Sequence, residues 1–279
     1  MSGLWNNMKT TLLMGSLMGL CLGVGYLIGG QIGIFYAFIV GGVMNLVAFF
    51  FSDKIALATM RAQEIAPNDD PSLWRIVEDL SQRAGLPMPR VYISPAAAPN
   101  AFATGRGPRH SAVCVTAGLR QMLNDQELRG VLAHELSHVK NRDILISTIA
   151  AIMAGAISSL TYLAMWDRDD RRSNPLIALL LMILAPLAAM LIQLAISRSR
   201  EYEADRSGAE LAGDPEGLAR SLQKLEAANK RIPLPVPDAQ SSLFIVQPLT
   251  GSSMARLFST HPPTEERVAR LRAMERRGY

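Results

Sequence analysis

The sequence predicts an α+β chain, predominantly helical, with four transmembrane helices in two hairpins and a soluble region on their cytoplasmic side. Three observations predict it. Residues 11–29, 34–51, 144–166 and 176–196 are long apolar runs free of Asp, Glu, Lys and Arg. Residues 90–94 and 111–116 alternate apolar and polar side chains, the period of short strands. His134-Glu135-Leu136-Ser137-His138 sits in a stretch with helical periodicity and no proline. The expected units are a membrane hairpin over 1–51, a soluble region over 52–143, a second hairpin over 144–196 and a second soluble region over 197–279.

Composition agrees with a membrane protein: of 279 residues, 49% are hydrophobic and only 19% charged. Each apolar run is about long enough for the roughly 30 Å hydrocarbon layer. The first is too long for a cleaved signal peptide and a second follows at once, so an uncleaved anchor is expected. The third and fourth runs also suit a pair of buried soluble helices, but their length favours spans, the fourth kinked at Pro186. Lys9, Lys54, Arg61, Lys140, Arg142, Arg198 and Arg200 flank span ends on one side, against Arg168, Arg171 and Arg172 on the other. This asymmetry places both soluble regions in the cytoplasm. A net charge of +4, scattered along the chain, gives no reason to expect nucleic acid. Two cysteines, Cys21 and Cys114, make no disulfide framework.

In the first soluble region, residues 56–65 read as a helical continuation of the second run, and 67–71 as a turn. Asp70 before Pro71 starts a helix that buries Leu73, Ile76, Val77 and Leu80 and stops near Gly85. Between the two strands, residues 100–105 suit either an edge strand beside a cleft or a surface loop around Gly105 and Gly107. As an edge, Asn100, Ala101 and Phe102 would bind an extended peptide by main-chain pairing. Asn124 and Glu127 form a capping box for the helix that follows. Later, residues 214–216 cap a helix through Asn229, 232–237 is a proline-rich connector, and 264–277 is a final helix whose Arg and Glu read as a solvated face.

His134 and His138, four apart, share one helix face and suit two-thirds of a catalytic zinc site, with Glu135 placed to take a proton from water. Two histidines at this spacing also occur by chance. A straight helix running on from His138 to Ile144 would hold the metal about 10 Å from lipid. After the fourth run, Glu201 and Asp205 fall on one face of a helix, so Glu201 could ligate zinc while Asp205 orients a histidine. Glu203 faces elsewhere. Taken alone, this segment is read more simply as ion pairs with Arg198, Arg200 and Arg206.

The HELSH run, the segment Ser197-Arg198-Ser199-Arg200-Glu201-Tyr202-Glu203-Ala204-Asp205, the stretch Asn100-Ala101-Phe102-Ala103-Thr104-Gly105, the His261-Pro262 pair before Thr264-Glu265-Glu266-Arg267 and the four apolar runs together resemble the HtpX-type membrane metalloproteases. These are relatives of the CAAX prenyl proteases within the gluzincins, and the likeness covers nearly the whole chain. The resemblance implies a zincin-like domain holding one Zn2+ through His134, His138 and Glu201, with Glu135 as catalytic carboxylate. It further implies Asp205 behind a ligand and His261 near the site, where it would stabilise an oxyanion or cap the last helix. It also implies protein substrates, above all misfolded membrane proteins, in the lipid bilayer of the bacterial cytoplasmic (inner) membrane, as part of stress-related quality control. A non-catalytic zinc-containing scaffold and a specific maturation protease are the alternatives. His110 matches none of these roles and reads as a surface histidine.

Overall fold

In the computed structural model, which describes residues 2–145, 198–229 and 262–276, the apolar amino-terminal part forms helix α1 (Ser2–Thr59). Gly30 adopts the left-handed conformation, with φ 59°, and a Cβ on Gly42 would meet Met18 Cε at 3.8 Å. On one straight helix these two residues would be about 36 Å apart. The chain therefore reverses at Gly30 into two antiparallel arms. Among the described residues no helix is long and apolar enough to cross a membrane, so the four-span expectation rests on sequence. The third and fourth runs, apart from Ile144 and Leu145, lie outside the described residues, as do the 232–237 connector and His261.

Residues 56–65 are not one helical continuation, as expected from sequence. The helix ends at Thr59, Arg61 takes φ 49°, and Gln63–Glu64 becomes strand β1. The Ser94 hydroxyl donates to the Met60 carbonyl at 2.6 Å, and Ile93 and Tyr92 pair with β1, so sheet contacts win over further helix. Helix α2 (Pro71–Ala84) is capped by Asp70, whose carboxylate accepts the Leu73 N–H at 3.0 Å. Leu73, Ile76, Val77 and Leu80 are its buried face.

Strands β2 (Arg90–Ser94), β3 (Ala101–Gly107) and β4 (His110–Thr116) complete a four-stranded sheet of order β1-β2-β4-β3. β2 and β4 are parallel, whereas β3 runs antiparallel to β4 and forms the edge. Of the two readings of residues 100–105, the edge strand is the one adopted. A short helix α3 (Ala117–Met122), capped by Thr116, leads into α4 (Asp125–Asn141). The Asn124–Glu127 capping box is formed in both directions. Later in the chain come α5 (Arg198–Ala212), α6 (Pro215–Asn229) and α7 (Thr264–Glu275).

Helix α4 lies at the centre. Leu128, Val131, Leu132, Leu136 and Val139 pack against Val113 and Val115 of the sheet, Leu73 of α2 and Leu222 of α6 in the main core. Each such fully buried side chain contributes about 1.5–3 kcal/mol. The opposite sheet face is covered by the end of α1, where Ala56 and Leu57 meet Tyr92, Phe102 and Cys114. The apolar arms are thus joined to the sheet by a core of their own.

Helix α4 does not continue straight toward Ile144, contrary to the expectation behind the 10 Å figure. Arg142 is left-handed, with φ 59°, and the Asp143 N–H turns back to the His138 carbonyl at 3.2 Å. The break brings the Asp143 side chain beside His138, which a straight helix would not do.

Candidate metal centre

Because α4 is surrounded on nearly every side, its polar residues at 134 and 135 are buried with the apolar ones. The two histidines converge: His134 Nε2 and His138 Nε2 lie 3.2 Å apart, with the rings perpendicular. Glu201 reaches them from α5, one oxygen 3.7 Å from His134 Nε2 and the other 3.7 Å from His138 Nε2. All three residues offer a ligand atom within 4.8 Å of one another.

The far nitrogen of each ring faces an acid. Asp205 Oδ1 is 3.0 Å from His134 Nδ1, an electrostatic contact whose bent approach leaves that nitrogen without a well-aligned hydrogen bond. Asp143 Oδ2 is 3.1 Å from His138 Nδ1. Acids at both Nδ1 atoms favour the tautomer with its proton there, which turns two Nε2 lone pairs and a carboxylate toward one point. Such a set is unfavourable without a shared cation, and His₂Glu is a donor set that suits zinc. The residues present therefore fit the ion.

Burial opposes charge on His138, but Asp143, Glu201 and Glu135 outweigh it and push its pKa up to about 10. Burial also raises Glu135, against the pull of the two histidines and of the Ala103 N–H, which donates to Glu135 Oε2 at 2.9 Å. That last bond ties the carboxylate to edge strand β3.

Asp205 is 3% exposed, and burial alone would raise it. Arg267 prevails and holds it down at about 2. The guanidinium, itself only 1% exposed, donates through Nε and Nη2 to both carboxylate oxygens at 2.8 and 2.7 Å. This corrects the solvated-face reading of the last helix at Arg267 alone, since Glu265, Glu266, Arg270, Arg272 and Glu275 are exposed as expected. Arg267 shares its helix stripe with Val268 and Leu271, the i, i+1, i+4 pattern that signals the buried side. Glu203, in contrast, points outward and pairs with Arg206. Asp143 was unforeseen because the left-handed Arg142 that positions it leaves no mark in the sequence pattern.

Two helices must approach closely for this geometry. A Cβ on Gly208 of α5 would lie 2.8 Å from both N and Cα of His134, so glycine alone lets α5 come near enough for Glu201 and Asp205 to reach α4. Arg200, one residue before Glu201, is lowered by burial and opposed by Asp143 and Glu201. Its terminal nitrogens make no hydrogen bond among the described residues.

Of the expected peptide-binding residues, all three are buried. Asn100 spends its main chain on Thr116, donating to Oγ1 at 2.8 Å and accepting from its N–H at 2.9 Å. Phe102 packs into the α1 core, away from Glu135. The alternation of the ladder leaves the main chain of Ala101, like that of Ala103, facing away from β4 on the Glu135 side.

Residues 67–275 match the sequence profile described as Peptidase family M48. A "Protease HtpX homolog" from Pelotomaculum thermopropionicum is 52% identical over 278 residues, spanning 96% of this chain and 99% of that protein. Another of the same name, from Paraburkholderia phytofirmans, is 49% identical over 282 residues, covering 99% of both. Among solved structures, the crystal structure of S. mikatae Ste24p superposes with a TM-score of 0.53 at 18% identity, over 97% of this chain and 67% of that one. At that identity the likeness speaks for the fold.

Proposed function

Since the chain belongs to peptidase family M48 and is thereby a metalloprotease, we propose that it is a zinc-dependent endopeptidase anchored in a bacterial cytoplasmic membrane, cutting misfolded or damaged membrane proteins on the cytoplasmic side. The observation that carries the reading is the convergence of His134, His138 and Glu201 with Glu135 adjoining and both rings backed by acids. The three residues would hold zinc, which supplies Lewis acidity to polarise a carbonyl and to lower the pKa of water to about 7. Glu135, whose affinity for a proton is raised by burial, accepts the proton of the attacking water and passes it to the leaving amine. Asp205, clamped by Arg267, and Asp143 fix the two imidazoles. An extended substrate pairs with the main chain of β3 at Ala101 on the side away from β4, while Phe102 and Asn100 support that strand from within. His261 stays a candidate for the oxyanion side.

Anchoring is supported by the arms of α1. Ile32 is 71% exposed, and Tyr26, Phe35, Tyr36, Phe38 and Leu46 are each more than half exposed. A contiguous apolar surface of this kind marks a lipid or partner interface. With the four uncharged runs of the sequence, lipid is the better occupant.

The test is the full chain in detergent, given unrelated unfolded proteins. Cleavage at many sites, lost to a chelator and restored by zinc, is expected. A single cut in a single substrate would favour a maturation protease, and zinc binding without any cleavage a scaffold. Resistance to alkaline extraction from membranes checks the anchor.

A further inference from the structure

Strand β3 carries an irregularity that the catalytic reading does not use. Gly105 pairs with Ser111 and Gly107 with His110, so Arg106 is skipped by the ladder. Gly105 and Gly107 have φ of 135° and 147°, and a Cβ on Gly105 would lie 2.0 Å from the His110 carbonyl oxygen. Such a bulge re-aims the skipped side chain. Here it lays the Arg106 guanidinium over the ring of Phe50, 5.2 Å from its centroid, with Nε buried and without a hydrogen bond among the described residues.

Phe50 and Phe51, each 46% exposed, end the apolar surface of the second arm. Lys54 follows with its ammonium 5.3 Å over the Phe51 ring. Arg109 and His110, at the β3–β4 tip, are exposed. From residue 54 back to 10 the only acid is Asp53, buried and paired with Arg90, and none occurs from 94 to 124. Among the described residues, Lys54 and Arg106 thus lie over the rings at the foot of the apolar arm, and the neighbouring carboxylate, Asp53, is already paired with Arg90.

We propose that the β3–β4 tip is a docking site for anionic phospholipid headgroups, with Arg106, Arg109 and Lys54 taking their phosphates where the arm enters lipid. This rests on the anchored reading above. Aromatic rings at the end of an apolar arm with cations just beyond them have the order of a bilayer interface, and cations near an anionic leaflet are favoured there. The guanidinium, 5.2 Å over the Phe50 ring, is a planar forked donor whose geometry suits a phosphate.

The test places a tryptophan by His110→Trp in the full chain, reconstituted in vesicles of phosphatidylcholine with a minor fraction of phosphatidylglycerol. Bromines are carried on one lipid or the other at equal amount, and quenching is read against the chain lacking that tryptophan. Roughly twofold or greater quenching by brominated phosphatidylglycerol is expected. The excess should vanish in R106Q/R109Q, persist in R106K/R109K and shrink with salt. Equal quenching from both lipids, or none while the chain resists alkaline extraction, overturns the proposal and leaves the anchor standing. Release of the chain at alkaline pH overturns the anchor as well. Loss of cleavage of a soluble unfolded protein in lipid-free detergent by R106Q/R109Q would reassign the tip to substrate and overturn the proposal.

Discussion

Gly208 and His134 meet backbone to backbone, so closely that a Cβ on the glycine would lie 2.8 Å from the histidine N and Cα. Gly208→Ala must push α5 off α4 or strain both, at a cost of about 1–3 kcal/mol. Because Glu201 and Asp205 ride on α5, zinc affinity should fall along with the unfolding temperature. Calorimetry with and without zinc measures both effects, and unchanged affinity would refute the close-approach argument.

Arg267 neutralises the Asp205 carboxylate, which is buried beside His134. Arg267→Met strands that charge and should destabilise the fold by about 3–5 kcal/mol. Asp205→Asn in the same chain should recover part of the loss, since no buried charge then remains. A double-mutant cycle on denaturant unfolding separates this coupling from simple loss of packing.

Glu135→Gln keeps the shape of the side chain and its bond from Ala103 but removes the proton acceptor. Peptide cleavage should drop about 10²–10⁴-fold with zinc content unchanged, as read by metal analysis of the purified chain. Glu201→Gln should instead lose metal and activity together.

The pH response of the zinc-free chain follows from two shifted groups. His138 is raised from 6.5 to about 10, so its contribution is complete below pH 6.5 and disappears as pH climbs through 10. Asp205 is lowered from 3.8 to about 2, so its contribution is present above pH 3.8 and disappears as pH falls through 2. Zinc needs His138 neutral, so binding at neutral pH should release about one proton. The gain in unfolding temperature on adding zinc should therefore grow between pH 6 and pH 8, and a gain independent of pH would contradict the assignment.

Much of this architecture was legible in the residues. Asp70-Pro71 starts α2, the Asn124–Glu127 box starts α4, and Glu201 and Asp205 share one face of α5 because helical spacing puts them there. What escaped depends on backbone states that many residues can adopt. Left-handed Arg61 turns an expected helix into β1, and left-handed Arg142 ends α4 and delivers Asp143 to His138. Arg267 was hidden for another reason: an arginine on an apolar stripe looks like an error in the pattern until its partner on another helix is known.

Strand β3 touches Glu135 at Ala103 and the foot of the apolar arm at Arg106. Three residues of extended chain separate those points by about 10 Å. A substrate lying along this strand would meet Glu135 at a fixed interval from the tip proposed to take headgroups. On the two proposals made above, the distance of a peptide bond from the bilayer, more than the identity of its side chains, would decide whether it reaches Glu135.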